Sequence, residues 1–108
     1  MRVMKFGGTS VGDAARLRHV ADLIAGQRAA HPQLVVVVSA MAGVTDALIQ
    51  MSQQAREGNP EWRQTLADLR ERHRGAVDEL ELPEEEARAL REELEQGFAR
   101  AEQLAQAV

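Results

Sequence analysis

The apolar run Leu34–Val38 restricts the fold more than any other part of the sequence, because four of its five residues are valine. β-Branched side chains favour strands, and an apolar run without polar alternation is typical of a parallel strand covered on both faces. A second apolar run, Met1–Phe6, stops at Gly7-Gly8, as a strand does before a tight turn. Between the two runs, apolar residues recur at the spacing of a helix, namely Leu17, Val20, Ala21, Leu23 and Ile24.

The order strand, helix, strand predicts a βαβ unit. Such crossovers are almost always right-handed and leave the two strands parallel. The loops that follow the strands, at Gly7-Gly8 and at Ala42-Gly43, are therefore expected at the same edge of the sheet. We expect the helix between the strands to be capped by Thr9 or Ser10, the latter in the capping-box pattern Ser10–Asp13, and to end before His31-Pro32.

Three further helices are predicted after the second strand. The first starts at Thr45-Asp46 and stops near Gly58. The second follows Asn59-Pro60 and the third opens at Pro83, so that these two form a helical hairpin.

Both helices of the hairpin carry an apolar stripe, which is still in phase at the last residue, Val108. From this we expect a truncated domain, with a βαβα unit over residues 1–58 and the helical hairpin over residues 59–108. The stripe positions are Trp62, Leu66, Leu69, His73, Ala76 or Val77 and Leu80, then Ala87, Leu90, Leu94, Phe98, Ala101, Leu104 or Ala105 and Val108.

Composition excludes several classes of function. The net charge of −4 gives no reason to expect nucleic acid or an anionic membrane as a partner, and the absence of cysteine excludes thiolate metal sites. No segment approaches the ~20 apolar residues that cross a bilayer, which predicts a cytoplasmic protein. His19 and His31 lack partners at metal-binding spacing, so no metal site is predicted, while His73 and Trp62 are expected to be packed core residues.

The segment Lys5–Ser10 (KFGGTS) carries the clearest chemical signal. Two glycines between a strand and a helix let the backbone approach a ligand, and their amides with the helix N-terminus can cradle a phosphate, to which Lys5 adds a cation. The segment is not a P-loop, because Gly12 is followed by Asp13, and it lacks the Gly-x-Gly-x-x-Gly pattern. From the residues alone, a phosphate cradle and an ordinary glycine turn before a capped helix remain equally open.

The same segment, extended to Val11, resembles the N-terminal signature of aspartokinases within the amino-acid kinase family. The resemblance implies that Lys5 is catalytic and that Lys5, Phe6, Gly7, Gly8 and Ser10 bind the ATP phosphates. It also implies the family's α/β/α, carbamate kinase-like fold, of which this chain would be a fragment with two parallel strands, their crossover helix and a helical hairpin.

Residues 35–46 (VVVVSAMAGVTD) resemble the family's second strand and the loop after it, which binds aspartate. The resemblance implies that Ser39 and Thr45 donate hydrogen bonds to the substrate and that Gly43 permits the loop's bend. Taken without the resemblance, Thr45 fits a plain helix cap and Ser39 a strand-end hydroxyl bonded to backbone.

The resemblance implies an aspartate kinase that uses ATP and Mg²⁺ to phosphorylate the side-chain carboxylate of L-aspartate, the first step of lysine, threonine and methionine biosynthesis. A homo-oligomer and a fused regulatory or homoserine dehydrogenase domain would fit the family. The family's remaining substrate and adenine residues lie in later sequence, so we expect this chain alone to be inactive. We also expect it to self-associate, either by pairing of exposed strand edges or by exchange of its last helix. Two alternatives stay open: an amino-acid kinase for a different carboxylate, and a non-catalytic interaction fragment.

Overall fold

The computed structural model describes all 108 residues, which divide into two compact units, Met1–Gly43 and Val44–Val108. The first unit holds two strands and one long helix, and the second holds three helices. The division predicted from the sequence, at residue 58, separates the part that carries the expected site loops from the helical hairpin. It stays a prediction. In chain order the elements are β1 Arg2–Phe6, a 3-10 turn Gly8–Val11, α1 Ala14–Ala30, β2 Leu34–Val38, α2 Val44–Arg56, α3 Trp62–Glu79 and α4 Glu84–Ala107.

β1 and β2 form a two-stranded parallel sheet, whose register runs from Arg2 beside Leu34 to Phe6 beside Val38. The predicted α/β class and βαβ unit are confirmed. Side chains alternate between the two faces along each strand. Met4 and Val36 are half-buried on one face.

The opposite face of the sheet is open. Val3, Val35 and Val37 are 59%, 44% and 48% exposed there. The prediction that Leu34–Val38 is covered on both faces is therefore wrong for this chain. Within the first unit, α1 packs against β2, and a single helix covers only one face of a sheet.

The start of α1 differs from the prediction. Ser10 lies in the 3-10 turn and does not cap the helix; instead the Asp13 side chain accepts a hydrogen bond of 2.9 Å from the Arg16 amide. Val11, between these two polar residues, is only 2% exposed and ends the 3-10 turn, and α1 begins at Ala14. The helix ends at Ala30, before Pro32, as predicted.

The three helices of the second unit share one core, which contains the predicted anchor Trp62. A buried polar pair lies beside it: Thr65 Oγ1 donates to Gln54 Oε1 at 2.9 Å, which satisfies the buried amide oxygen. The buried cluster consists of Met51, Ala55, Trp62, Leu66 and Ala105, against which Phe98 and Ala101 pack.

α3 and α4 form the predicted hairpin. His73 is half-buried, with Nδ1 2.7 Å from the Leu69 carbonyl oxygen and its ring edge-on to Phe98, which confirms the prediction of a packed histidine. Arg70 donates two hydrogen bonds to the Glu95 carboxylate, forming a two-point ion pair between the helices, and this hydrogen bonding raises the pKa of Arg70.

The apolar stripe of α4 is only partly buried. Ala87 and Ala105 are buried, whereas Leu90, Leu104 and Val108 are exposed. The physical reason is that a 24-residue helix here meets two shorter partners, α2 and α3. No helix combines the length and apolarity that crossing a membrane would require.

Asp13→Ala should lower the free energy of unfolding by about 1 kcal/mol, because it removes the carboxylate that caps α1. Ser10→Ala, at the cap position predicted from the sequence, should change it by less than about 0.5 kcal/mol. Urea unfolding of the 108-residue chain, followed by circular dichroism, compares the two variants. A greater loss for Ser10→Ala would contradict the assignment of Asp13 as the cap.

Candidate functional site

The loops that follow β1 and β2 meet at one edge of the sheet. The Ser39 amide donates to the Phe6 carbonyl oxygen at 3.1 Å, which extends the parallel ladder beyond both strands. Gly8 then lies directly against the second loop: a Cβ atom on Gly8 would be 3.3 Å from the Ala40 carbonyl oxygen and 3.5 Å from the Ala42 Cα. The prediction that the two loops share an edge is confirmed.

Gly7 and Gly8 differ in what the fold requires of them. Gly8 needs to be glycine because a side chain there would press on the backbone of the second loop. Gly7 has φ −79° and ψ 175°, a conformation that any residue adopts, and a Cβ atom there would meet nothing within 4 Å. Nothing within this chain therefore explains the glycine at position 7, and its backbone is open to a group from outside.

The 3-10 turn after Gly7 is fixed by backbone contacts. The Ser10 amide donates to the Gly7 carbonyl oxygen at 3.0 Å, and Val11 anchors the end of the turn in the core. Arg16 Nη1 donates to the Thr9 carbonyl oxygen at 2.8 Å. The sequence analysis missed Arg16, because a contact between residues seven apart across a non-helical turn does not match the spacing of a helix or a strand.

Lys5 is exposed and lies beside Val37 in the sheet register. Alternation along β1 puts it on the open face, with Val3, and not on the face of Met4. Phe6 ends β1 and is half-buried, and its carbonyl oxygen is the acceptor for Ser39. The structure thus brings Lys5, Phe6, Gly7, Gly8 and Ser10 together in one short segment at the shared edge.

The predicted substrate residues fall in both units. Ser39 is exposed, and its Oγ donates to the Ala40 carbonyl oxygen at 3.1 Å. Gly43 has φ 83°, a left-handed conformation that favours glycine, in agreement with the bend expected there. Thr45 belongs to the second unit, where it lies inside the first turn of α2. The helix begins one residue earlier than predicted, at Val44, so Thr45 is a helical residue and not its cap.

A metal cluster is absent from the structure: no three His, Asp or Glu side chains converge in a way that could hold an ion. His19 is exposed on α1 and His31 is half-buried at its end. The groups at the shared edge are one ammonium, hydroxyls and backbone amides, which are hydrogen-bond donors suited to an anion.

The amino acid kinase family model matches residues 1–105, and the chain belongs to this family. The resemblance and the family fold expected from the sequence are thereby confirmed.

Curated relatives match about half of this chain's length. An aspartate kinase of Pseudomonas putida is 50% identical over 52 residues, which are 48% of this chain and 13% of the relative. An aspartokinase of Mycolicibacterium smegmatis is 45% identical over 58 residues, 54% of this chain and 14% of the relative. One of Pseudomonas aeruginosa is 49% identical over 55 residues, 51% of this chain and 13% of the relative. The matched part is thus about an eighth of each relative's length.

Gly8→Ala should destabilise the chain by about 1–3 kcal/mol, because the new methyl group crowds a backbone carbonyl that cannot move freely. Gly7→Ala should leave stability unchanged or raise it by up to about 1 kcal/mol, since it reduces the entropy of the unfolded chain without strain. Thermal unfolding measures both. Equal losses for the two variants would show that Gly7 is not open.

Proposed function

We propose that this chain forms the phosphate-binding part, and one side of the aspartate-binding part, of an aspartate kinase. The enzyme would transfer the γ-phosphoryl group of ATP to the side-chain carboxylate of L-aspartate, giving 4-phospho-L-aspartate in the cytoplasm at the start of lysine, threonine and methionine biosynthesis. The observation that carries the proposal is the contact between the two loops at Gly8, beside an open Gly7. The three relatives described above are named as aspartate kinases, which supports the choice of aspartate as substrate.

The phosphate side of the site consists of Lys5, Phe6, Gly7, Gly8 and Ser10. The glycine amides donate to phosphate oxygens, and the open position of Gly7 lets those oxygens approach the backbone. Lys5 is the catalytic residue, whose ammonium neutralises charge on the transferring phosphoryl group. Ser10 supplies a hydroxyl on the same turn.

The substrate side consists of Ser39, Gly43 and Thr45. Ser39 and Thr45 are exposed hydroxyl donors for the carboxylates of aspartate, and Gly43 gives the loop the turn that precedes α2. The side-chain carboxylate of aspartate is already ionised at neutral pH, so no base is needed to activate it. Positioning and charge neutralisation are therefore the means of catalysis.

Mg²⁺ would accompany ATP, because it binds phosphate oxygens together with one or two carboxylates. No group of three or more His, Asp or Glu side chains in this chain could hold the ion. The ion is assigned to the nucleotide, and no step of the mechanism proposed for these residues uses it.

Two other functions have support from particular features. A different amino-acid kinase would keep Lys5 and the glycines, but Thr9-Ser10 and the 39–45 loop favour aspartate. An interaction role is favoured by the open valine face of the sheet, which would also promote a homo-oligomer. Light scattering of the isolated chain tests the latter, and a monodisperse monomer would count against it.

A chimera tests the kinase assignment directly. This 108-residue chain replaces the corresponding segment of the Pseudomonas putida aspartate kinase, and ADP release is followed with Mg-ATP and L-aspartate. We expect turnover with aspartate well above that with glutamate, and none from the isolated chain. The relative with the segment deleted is the blank. A soluble chimera no more active than that blank would refute the proposal.

In the active chimera, Lys5→Ala should lower kcat by ~100-fold or more with a smaller change in the KM for aspartate, because phosphoryl charge peaks in the transition state. Thr45→Val should instead raise the KM for aspartate more than it lowers kcat. Arg2→Ala removes a charge from the same strand outside the proposed site and is the matched control. The same kinetic pattern for Lys5→Ala and Thr45→Val would refute their separate roles.

A further inference from the structure

Arg16 is held at both ends of the residue. Its backbone amide donates to the Asp13 carboxylate at 2.9 Å, and its side-chain Nη1 donates to the Thr9 carbonyl oxygen at 2.8 Å. The guanidinium therefore reaches from the first turn of α1 back over the 3-10 turn. A Cβ atom on Gly12 would lie 3.6 Å from Nη1, so the side chain passes over Gly12 at ordinary contact distance.

The bond to Thr9 fixes more than one atom, because a peptide unit is planar and rigid. The Thr9 carbonyl and the Ser10 amide belong to the same trans peptide unit and point in opposite directions. Arg16 holds one end of that unit, and the Ser10 amide donates to the Gly7 carbonyl oxygen at 3.0 Å at the other end. The Gly7 carbonyl in turn belongs to the peptide unit whose amide is that of Gly8.

We propose that Arg16 is a positioning residue for the phosphate loop, acting through these two linked peptide units on the Gly8 amide. The proposal rests on the proposed function, in which that amide binds a phosphate oxygen. The cationic donor on Thr9 also polarises the relay, so that each successive amide becomes a better donor to an anion. Arg16 itself does not touch the substrate in this mechanism.

Two measurements separate this role from a merely structural one. In the isolated chain without ligand, Arg16→Met should shift the amide resonances of Gly8 and Ser10 in the ¹⁵N–¹H spectrum. In the active chimera, Arg16→Met should raise the KM for ATP about tenfold, as loss of one hydrogen bond from a charged donor would. The KM for aspartate should stay within about twofold.

Three variants provide the controls. Asp13→Ala weakens the cap of α1 but keeps the contact with Thr9, so it should lower the melting temperature and leave the KM for ATP within about twofold. Arg28→Met makes the same substitution in the last turn of α1 and should change neither the melting temperature nor the KM for ATP. Arg16→Lys keeps a cationic donor on a flexible stem and should recover most of the loss in ATP affinity.

The outcomes distinguish the two proposals. An inactive unsubstituted chimera refutes the kinase assignment, whereas an active chimera with an unchanged KM for ATP in Arg16→Met refutes the positioning role. If Asp13→Ala and Arg16→Met raise the KM for ATP equally, Arg16 only stabilises the fold and the positioning role is refuted. Unmoved Gly8 and Ser10 resonances alongside a raised KM would mean direct phosphate contact and would also refute the relay. If Arg16→Met does not fold, Arg16→Lys provides the test. A KM for ATP equal to that of the unsubstituted chimera supports the relay, and a tenfold higher KM refutes the relay.

Discussion

The register of β1 and β2 is the constraint on which the candidate site depends. Phe6 lies beside Val38, so both strands end at the same level, and the Ser39 amide continues the ladder to the Phe6 carbonyl. The two loops consequently leave the sheet together. A slip of one residue would carry Lys5 from the open face to the face of Met4 and would separate its charge from the loops. Pairing of the strand backbones thus decides where the chemically active groups lie.

The two glycines after β1 are explained by different physical requirements. Gly8 is explained within the chain, because a Cβ atom there would lie 3.3 Å from a carbonyl oxygen of the second loop, closer than an ordinary contact. Gly7 is not, since neither its backbone conformation nor its surroundings exclude a side chain. A glycine that its own fold does not require is best accounted for by a group that approaches from outside, which is the feature expected of a phosphate loop.

The sequence predicted what depends on long, regular patterns. The valine run and the helical period gave the order of the elements, the parallel pairing and the meeting of the loops, and the apolar stripe of α3 placed Trp62 in the core. The start of α1 could not be predicted, because Ser10 and Asp13 are both good capping residues. Ser10 instead lies in a 3-10 turn that ends at the buried Val11, and burial is a tertiary effect that local capping preferences do not reveal.

The valine run did not show which face of the sheet stays open, for a related reason. The residues of a strand show which of its faces is apolar, whereas the burial of each face depends on how many helices or strands pack against the sheet. In the same way the contact of Arg16 with Thr9 depends on the path of a 3-10 turn, which no periodicity marks. The assignments of individual site residues remain predictions.

Backbone contacts, more than side chains, hold the candidate loops in place. Gly8 rests on a carbonyl oxygen, the Ser10 amide is bound to Gly7, and the Ser39 amide is bound to Phe6. The side chains of Thr9 and Ser10, on the first of these loops, are exposed. Because a loop ordered through its backbone does not need these hydroxyls for its own stability, they are available for the recognition role proposed above. Specificity for one carboxylate acceptor over another would then reside in residues that the fold itself does not require.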